Sequence, residues 1–148
     1  MTTEKMPPLT EDIGFLLSRT AALLTQEVNQ VLAPEGLRVR SYTVLHLACE
    51  NPAGISQKSV ADASGMDPSQ VVALLDGLEE RELVRRQPDP NDRRSKLLVA
   101  TDTGRELCLR AQASVQRAQE EHLHPLPAWM VDGLRDTLRS IISPGRTP

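Results

Sequence analysis

Aromatic residues are almost missing from this chain. Phe15, Tyr42 and Trp129 are the full set in 148 residues. Proteins that hold single-stranded nucleic acid on aromatic platforms need more than that. The core must instead be built from Leu, Val, Ile and Ala, which suits helices. Cysteine is as scarce. Cys49 and Cys108 lie far apart, with no His or Cys at metal-ligand spacing, so they do not read as a zinc site. No apolar run approaches the roughly 18 residues of a membrane span. The start of the chain lacks the apolar segment of a secretory signal. The expectation is a cytoplasmic protein with reduced thiols. Excess positive charge is also missing. The net charge of −3 argues against nucleic-acid binding by bulk charge, though not against a local basic patch. No glycine-rich phosphate loop or nucleophile motif occurs, so neither an enzyme nor a cofactor is expected.

What is present concentrates between Ser56 and Ala100. SQKSVADASG reads as a short helix, capped by Ser56, with Val60 and Ala63 facing inward. Gly65 then supplies a turn that needs φ > 0. A second helix follows, with Asp67 as N-cap and Pro68 at its first position, where a missing N–H is harmless. Val71, Leu74, Leu75 and Leu78 share one face at helical spacing. The opposite face carries Ser69, Gln70 and Ala73, residues small or polar enough to approach base edges. This is a helix-turn-helix layout.

A charged hairpin follows. Leu83 to Gln87 and Lys96 to Ala100 are the candidate strands, and Pro88 and Pro90 mark the loop between them. Arg85, Arg86, Arg93, Arg94 and Lys96 outnumber Asp89 and Asp92, a local excess of about three positive charges. A basic hairpin beside a helix-turn-helix is a wing. In it, Arg86 and Lys96 would contact phosphates, which position the protein without reading sequence.

The helices on either side are long. From Leu9, Ile13, Leu16, Leu17, Leu24, Val28, Val31 and Leu32 recur at three- and four-residue steps, with Thr10 as a cap and Pro34 and Gly36 as terminators. Such an apolar face is too extensive to hide easily inside one subunit, so a partner chain is expected to share it. Ser41 to Glu50 is a shorter helix, and Ile55 a one-residue strand against the wing. Thr101 or Asp102 opens a helix to about His122, and Trp129 to Ile142 forms the last one. The chain divides into a loose arm (1–8), an N-terminal dimerisation helix (9–35), a winged segment (37–101) and C-terminal dimerisation helices (102–148). The fold class is mainly α with a small β-hairpin wing.

Several residues admit two readings. Arg93 and Arg94 suit a groove contact or a solvated loop. Tyr42 and His46, four apart on one helix face with Arg40 nearby, suit a ligand site or a satisfied polar pair. His122 and His124 suit a helix C-terminus better than a metal. Cys49 and Cys108 suit small buried apolar residues better than an oxidant sensor.

The run Asp92-Arg93-Arg94-Ser95-Lys96-Leu97-Leu98 resembles the wing signature Asp-x-Arg-x-x-x-Val/Ile of the MarR family of bacterial transcription regulators. Ala100-Thr101-Asp102-Thr103-Gly104 resembles the family's Leu-Thr-x-x-Gly segment, and LLDGLEERELVRR its recognition-helix end and first wing strand. With the flanking helices the resemblance spans roughly residues 9 to 142. Leu98 and Ala100 depart mildly from the pattern. Glu82 stands where Gly is common, which removes an expected helix C-cap. The resemblance implies a homodimeric winged helix-turn-helix regulator on near-palindromic double-stranded DNA, its two reading helices roughly 34 Å apart. It puts Arg94 in the minor groove, with Asp92 holding the hairpin and its Arg. It also implies a repressor released by a small phenolic or anionic molecule near Arg40, Tyr42 and His46. The rival is a winged-helix protein-interaction module, which needs no basic wing tip.

Overall fold

The computed structural model describes residues 5–143. Residues 1–4 of the expected arm and the last five of the C-terminal segment lie outside that range. A 3-10 turn at Leu9–Glu11 precedes α1 (Ile13–Leu32), and another at Ala33–Glu35 follows it. The cap of α1 is not Thr10 but Asp12, whose carboxylate accepts from Phe15 N at 2.6 Å. At 20 residues the helix spans roughly 30 Å. Gly36 turns the chain with φ 66° into α2 (Val39–Glu50).

The central segment follows the expected order. β1 (Ile55–Ser56) leads into α3 (Gln57–Ser64), capped where Ser56 Oγ accepts from Ser59 N. Val60 and Ala61 face the core, and Ala63 is exposed, contrary to the expectation for Ala63. Gly65 makes the turn at φ 68°. α4 (Pro68–Glu80) starts on the Asp67 cap and buries Val71, Leu75 and Leu78.

The wing is longer than the prolines suggested. β2 (Val84–Asp89) and β3 (Asp92–Ala100) pair antiparallel almost to the turn, and Pro88 lies opposite Lys96. The sheet order is β1-β3-β2, so β2 is an edge strand, where a residue without N–H is tolerated. The register jumps from Pro88↔Lys96 to Asp89↔Asp92, leaving Arg93, Arg94 and Ser95 as a bulge without partners on β2.

Thr101 then caps α5 (Asp102–Leu123) by accepting from Gly104 N. Gly104 is pressed against the backbone just before β2: a Cβ there would stand 1.9 Å from the Leu83 carbonyl oxygen. This close approach accounts for the glycine of the Thr-x-x-Gly run.

One core joins α2, α3, α4, α5 and the inner sheet face through Val44, Leu45, Val60, Leu75, Leu98 and Ala111, all fully buried. The outer helices stand apart from it. α1 buries only Val28 and Leu32, near its C-terminal end, with Val31 packed partly buried beside them. α6 (Ala128–Ile142) buries none of its residues. Ile13, Trp129 and Ile141 are 74%, 71% and 62% exposed. No helix among the described residues is long and apolar enough to cross a membrane.

Candidate DNA-binding interface and effector site

The reading helix presents its polar face as its cap and core residues dictate. With Val71, Leu75 and Leu78 turned inward, Pro68, Ser69, Gln70 and Ala73 are exposed together. Asp67 accepts from both Ser69 N (2.9 Å) and Ser69 Oγ (2.8 Å). Those bonds hold the Asp67 carboxyl below its usual range, the backbone donor first. They also use the Ser69 hydroxyl proton, so Ser69 can meet DNA only as an acceptor. Ser56 is engaged similarly: its hydroxyl donates to Ser59 Oγ at 2.9 Å while capping α3.

In the wing, Arg93, Arg94 and Lys96 are exposed. Asp92 Oδ1 accepts from Arg94 N at 3.0 Å, and Asp89 Oδ1 from Asn91 N at 2.8 Å. Two aspartates thus shape the tip through the backbone, and Asp92 holds the backbone N–H of Arg94 within the bulge.

Arg86 departs from the expectation that it contacts phosphate. Its side chain is 17% exposed and its guanidinium is shared between Glu79, Asp76 at 2.6 Å and Gln57 at 3.3 Å. The Arg86 N–H also donates to Glu79 Oε1. Burial opposes its charge, but the two carboxylates outweigh that, and its pKa is raised. Arg86 therefore ties β2 to α4 and α3, holding the wing against the helix-turn-helix. The exposed wing cations are Arg85, Arg93, Arg94 and Lys96. Asp76 and Glu79, three apart on one face of α4, were the signal for this clamp.

On α2, Tyr42 and His46 meet edge to face, ring centroids 5.4 Å apart. Burial first, then the neighbouring Cys108, Glu50 and Cys49, push the Tyr42 phenol up to about 12. At neutral pH it is a hydrogen-bond donor. His46 Nε2 lies 3.0 Å from Glu50 Oε1, and its Nδ1 3.7 Å from Cys108 Sγ. Arg40 is exposed. An open groove of about 700 Å³ lies elsewhere, over Ala21, Ala22, Thr25 and Asn29 of α1, with Arg38 at one end. His122 pairs with Glu27 of α1 at 3.1 Å. No cluster of metal-ligating side chains occurs among the described residues.

A helix-turn-helix with an exposed polar reading face, flanked by a sheet whose hairpin tip carries arginines, defines a winged helix-turn-helix regulator. The MarR family model matches residues 35–95. The HTH-type transcriptional repressor Rv2887 of Mycobacterium tuberculosis is 32% identical over 116 residues, covering 78% of this chain and 83% of the relative. CouR from Rhodococcus jostii RHA1, solved with p-coumaroyl-CoA, is 49% identical with a TM-score of 0.89, covering 97% of this chain and all of CouR. A transcriptional repressor, CouR, solved on a 23-mer DNA duplex, is 34% identical with a TM-score of 0.83, covering 93% and 96% of the two chains. The chain belongs to the MarR family and is a DNA-binding transcription regulator. Proteins of this family function as dimers.

Proposed function

We propose that this protein is a repressor that binds a near-palindromic operator as a homodimer and is released by an aromatic acyl-CoA thioester. The observation that carries the effector class is the 49% identity, over the full length of CouR, to a regulator solved with p-coumaroyl-CoA. That ligand is both phenolic and anionic, the two properties expected of the effector. Tyr42 offers a neutral phenol donor beside His46, and Arg40 an exposed cation from the same helix. Salicylate is the smaller competitor, since Rv2887 has been solved with it. Release requires only that the ligand prefer a dimer geometry that cannot span both half-sites. The wing cations, exposed at a tip shaped by aspartates, favour DNA over a protein-interaction module.

The test begins by selecting bound duplexes from a random DNA pool. An inverted repeat whose half-sites lie about one helical turn apart is expected. The selected duplex is then titrated with p-coumaroyl-CoA, free p-coumarate and salicylate. The thioester should release the DNA and raise the melting temperature at micromolar concentration, and Tyr42→Phe should weaken that response at least about five-fold, the low end of allosteric coupling. Release by none of the three at millimolar concentration refutes the effector class. Recovery of no common sequence refutes the operator reading.

A further inference from the structure

Arg81 stands at the C-terminal cap of α4, where a cation ordinarily serves the carbonyls of its own helix. Its guanidinium reaches elsewhere. Nη1 donates to the Gly36 carbonyl at 2.8 Å and Nη2 to the Glu35 carbonyl at 2.9 Å, 45 and 46 positions away in the chain. Both acceptors lie where the 3-10 turn after α1 ends and the chain reverses into α2. The planar fork of an arginine fits two neighbouring oxygens at once, which a lysine ammonium does not. The approach is close: Gly36 has φ 66°, and a Cβ there would stand 3.3 Å from Arg81 Nη1.

In the sequence, Pro34 and Gly36 mark a break between the first long helix and the winged segment. Such a break is where a hinge would fall. The structure instead ties it down on three sides. Asn29 Oδ1 on α1 accepts from Val39 N at the start of α2, at 2.9 Å. Glu35 pairs with Arg110 of α5 at 3.3 Å, a single exposed contact worth little. Arg81 supplies the link to the reading helix. Leu32 and Leu37 are buried on either side of the turn, and Leu78, one turn before Arg81, is buried too. Both ends of the link are therefore anchored in the core.

Resting on the reading of a homodimer on two half-sites, we propose that Arg81 is a positioning residue: it locks the α1–α2 junction to the reading helix and so fixes the half-site spacing that the dimer accepts. α1 leaves Ile13, Leu16 and Leu17 outside the core, and a second copy seated there would set where α1 lies. The winged segment follows α1 through the junction. α4 has 13 residues and is roughly 20 Å long. A rotation of about 10° about the junction would carry its Ser69 end by roughly 3.4 Å, one base-pair step. A junction loosened by that amount accepts a site one base pair too long or too short. Arg81 needs no contact with DNA in this role, since it acts through the placement of α4.

The test compares the wild type with Arg81→Met, which keeps the stem and removes the fork. Arg81 is exposed, so the variant should fold. Each protein is titrated with the selected duplex, with duplexes one base pair longer and shorter between the half-sites, and with a single half-site. The wild type should bind the altered spacings at least about five-fold less well than the selected duplex. Arg81→Met should erase most of that difference while its half-site affinity and salt slope stay unchanged. The Gly36 and Leu37 amides, which donate to the Ala33 and Leu32 carbonyls, should exchange with solvent several-fold faster in the variant. Arg81→Lys should lie between the two proteins in both measurements. An equal loss on every duplex would make Arg81 a stabiliser of the fold alone. A half-site salt slope lower by about one would make it a phosphate contact. Either result overturns the proposal, as does a spacing preference or an exchange rate that Arg81→Met leaves unchanged, or a wild type indifferent to spacing. A wild type that selects no common sequence refutes the operator reading instead, and the exchange rates then still decide whether Arg81 locks the junction.

Discussion

Glu82 illustrates how a residue can contradict a rule and still satisfy its geometry. It stands where glycine was expected after the reading helix, yet its φ is +57°. Glu82 N donates to the Glu79 carbonyl at 2.9 Å and Leu83 N to the Leu78 carbonyl at 3.0 Å, the two bonds of a Schellman motif. The α4 cap is therefore present with a side chain in the left-handed region. Thr101 Oγ1, donating to the Glu82 carbonyl at 2.7 Å, secures it from the α5 side. A left-handed L-residue costs about 1–2 kcal/mol. A glycine recovers that but loses about 0.4–1 kcal/mol through the freedom of the unfolded chain. Glu82→Gly should therefore stabilise the protein by about 0.5–1 kcal/mol, raising Tm by a few degrees at fixed protein concentration. An unchanged or lowered Tm in calorimetry would show that the glutamate side chain supplies compensating contacts. Sequence reasoning located this position and missed its conformation, because propensity describes the residue's preference and not what the neighbouring turn imposes. Arg86 shows the same limit. Charge along the chain does not tell a free arginine from one held by Asp76 and Glu79.

Elements were more legible than contacts. The caps at Ser56, Asp67 and Thr101, the Gly65 turn and the inward face of α4 follow from local chemistry, and the structure has them where that chemistry requires. The wing was legible as a hairpin and not in its register. Pro88 looks like a loop residue until β2 is known to be an edge, and nothing local announces the three-residue bulge. That bulge carries the Arg pair. Arg94→Ala should cost about 1–3 kcal/mol at the operator if the guanidinium enters a groove, the range for a good base contact. It should also weaken preference for A·T pairs flanking the site, where a narrow minor groove attracts arginine. Lys96→Ala should weaken all duplexes about equally and lower the salt slope by roughly one. Neither should shift Tm, because both side chains are exposed. Wild-type affinity and salt slope for Arg94→Ala, in fluorescence anisotropy, would remove the wing tip from the interface.

At the scale of the molecule, the question is what covers the two ends. α6 buries nothing of its own, and the first part of α1 leaves Ile13, Leu16 and Leu17 exposed. Trp129, Leu134, Ile141 and Ile142 add to this surface. Isolated exposed apolar residues are ordinary; two helices with whole apolar stripes in water are not. The long apolar pattern was legible in the sequence as more than one subunit needs; the structure takes its C-terminal end, Val28 and Leu32, into the core and leaves Ile13, Leu16 and Leu17 outside it. A second copy, covering both helices about a twofold axis, is the cover we propose. Each fully buried Leu- or Ile-sized side chain is worth about 1.5–3 kcal/mol, and the twofold counts each substitution twice. Ile13→Asp combined with Ile141→Asp should therefore give monomers at micromolar concentration in light scattering. Both positions are exposed within one chain, so the circular dichroism of the winged segment should persist. A monomer meets only one half-site at a time, and its operator affinity should fall by orders of magnitude while contacts within a half-site survive. Removing the chain from Trp129 onward should act in the same direction. A double variant that stays dimeric and binds the operator as the wild type does would place the subunit interface on another surface.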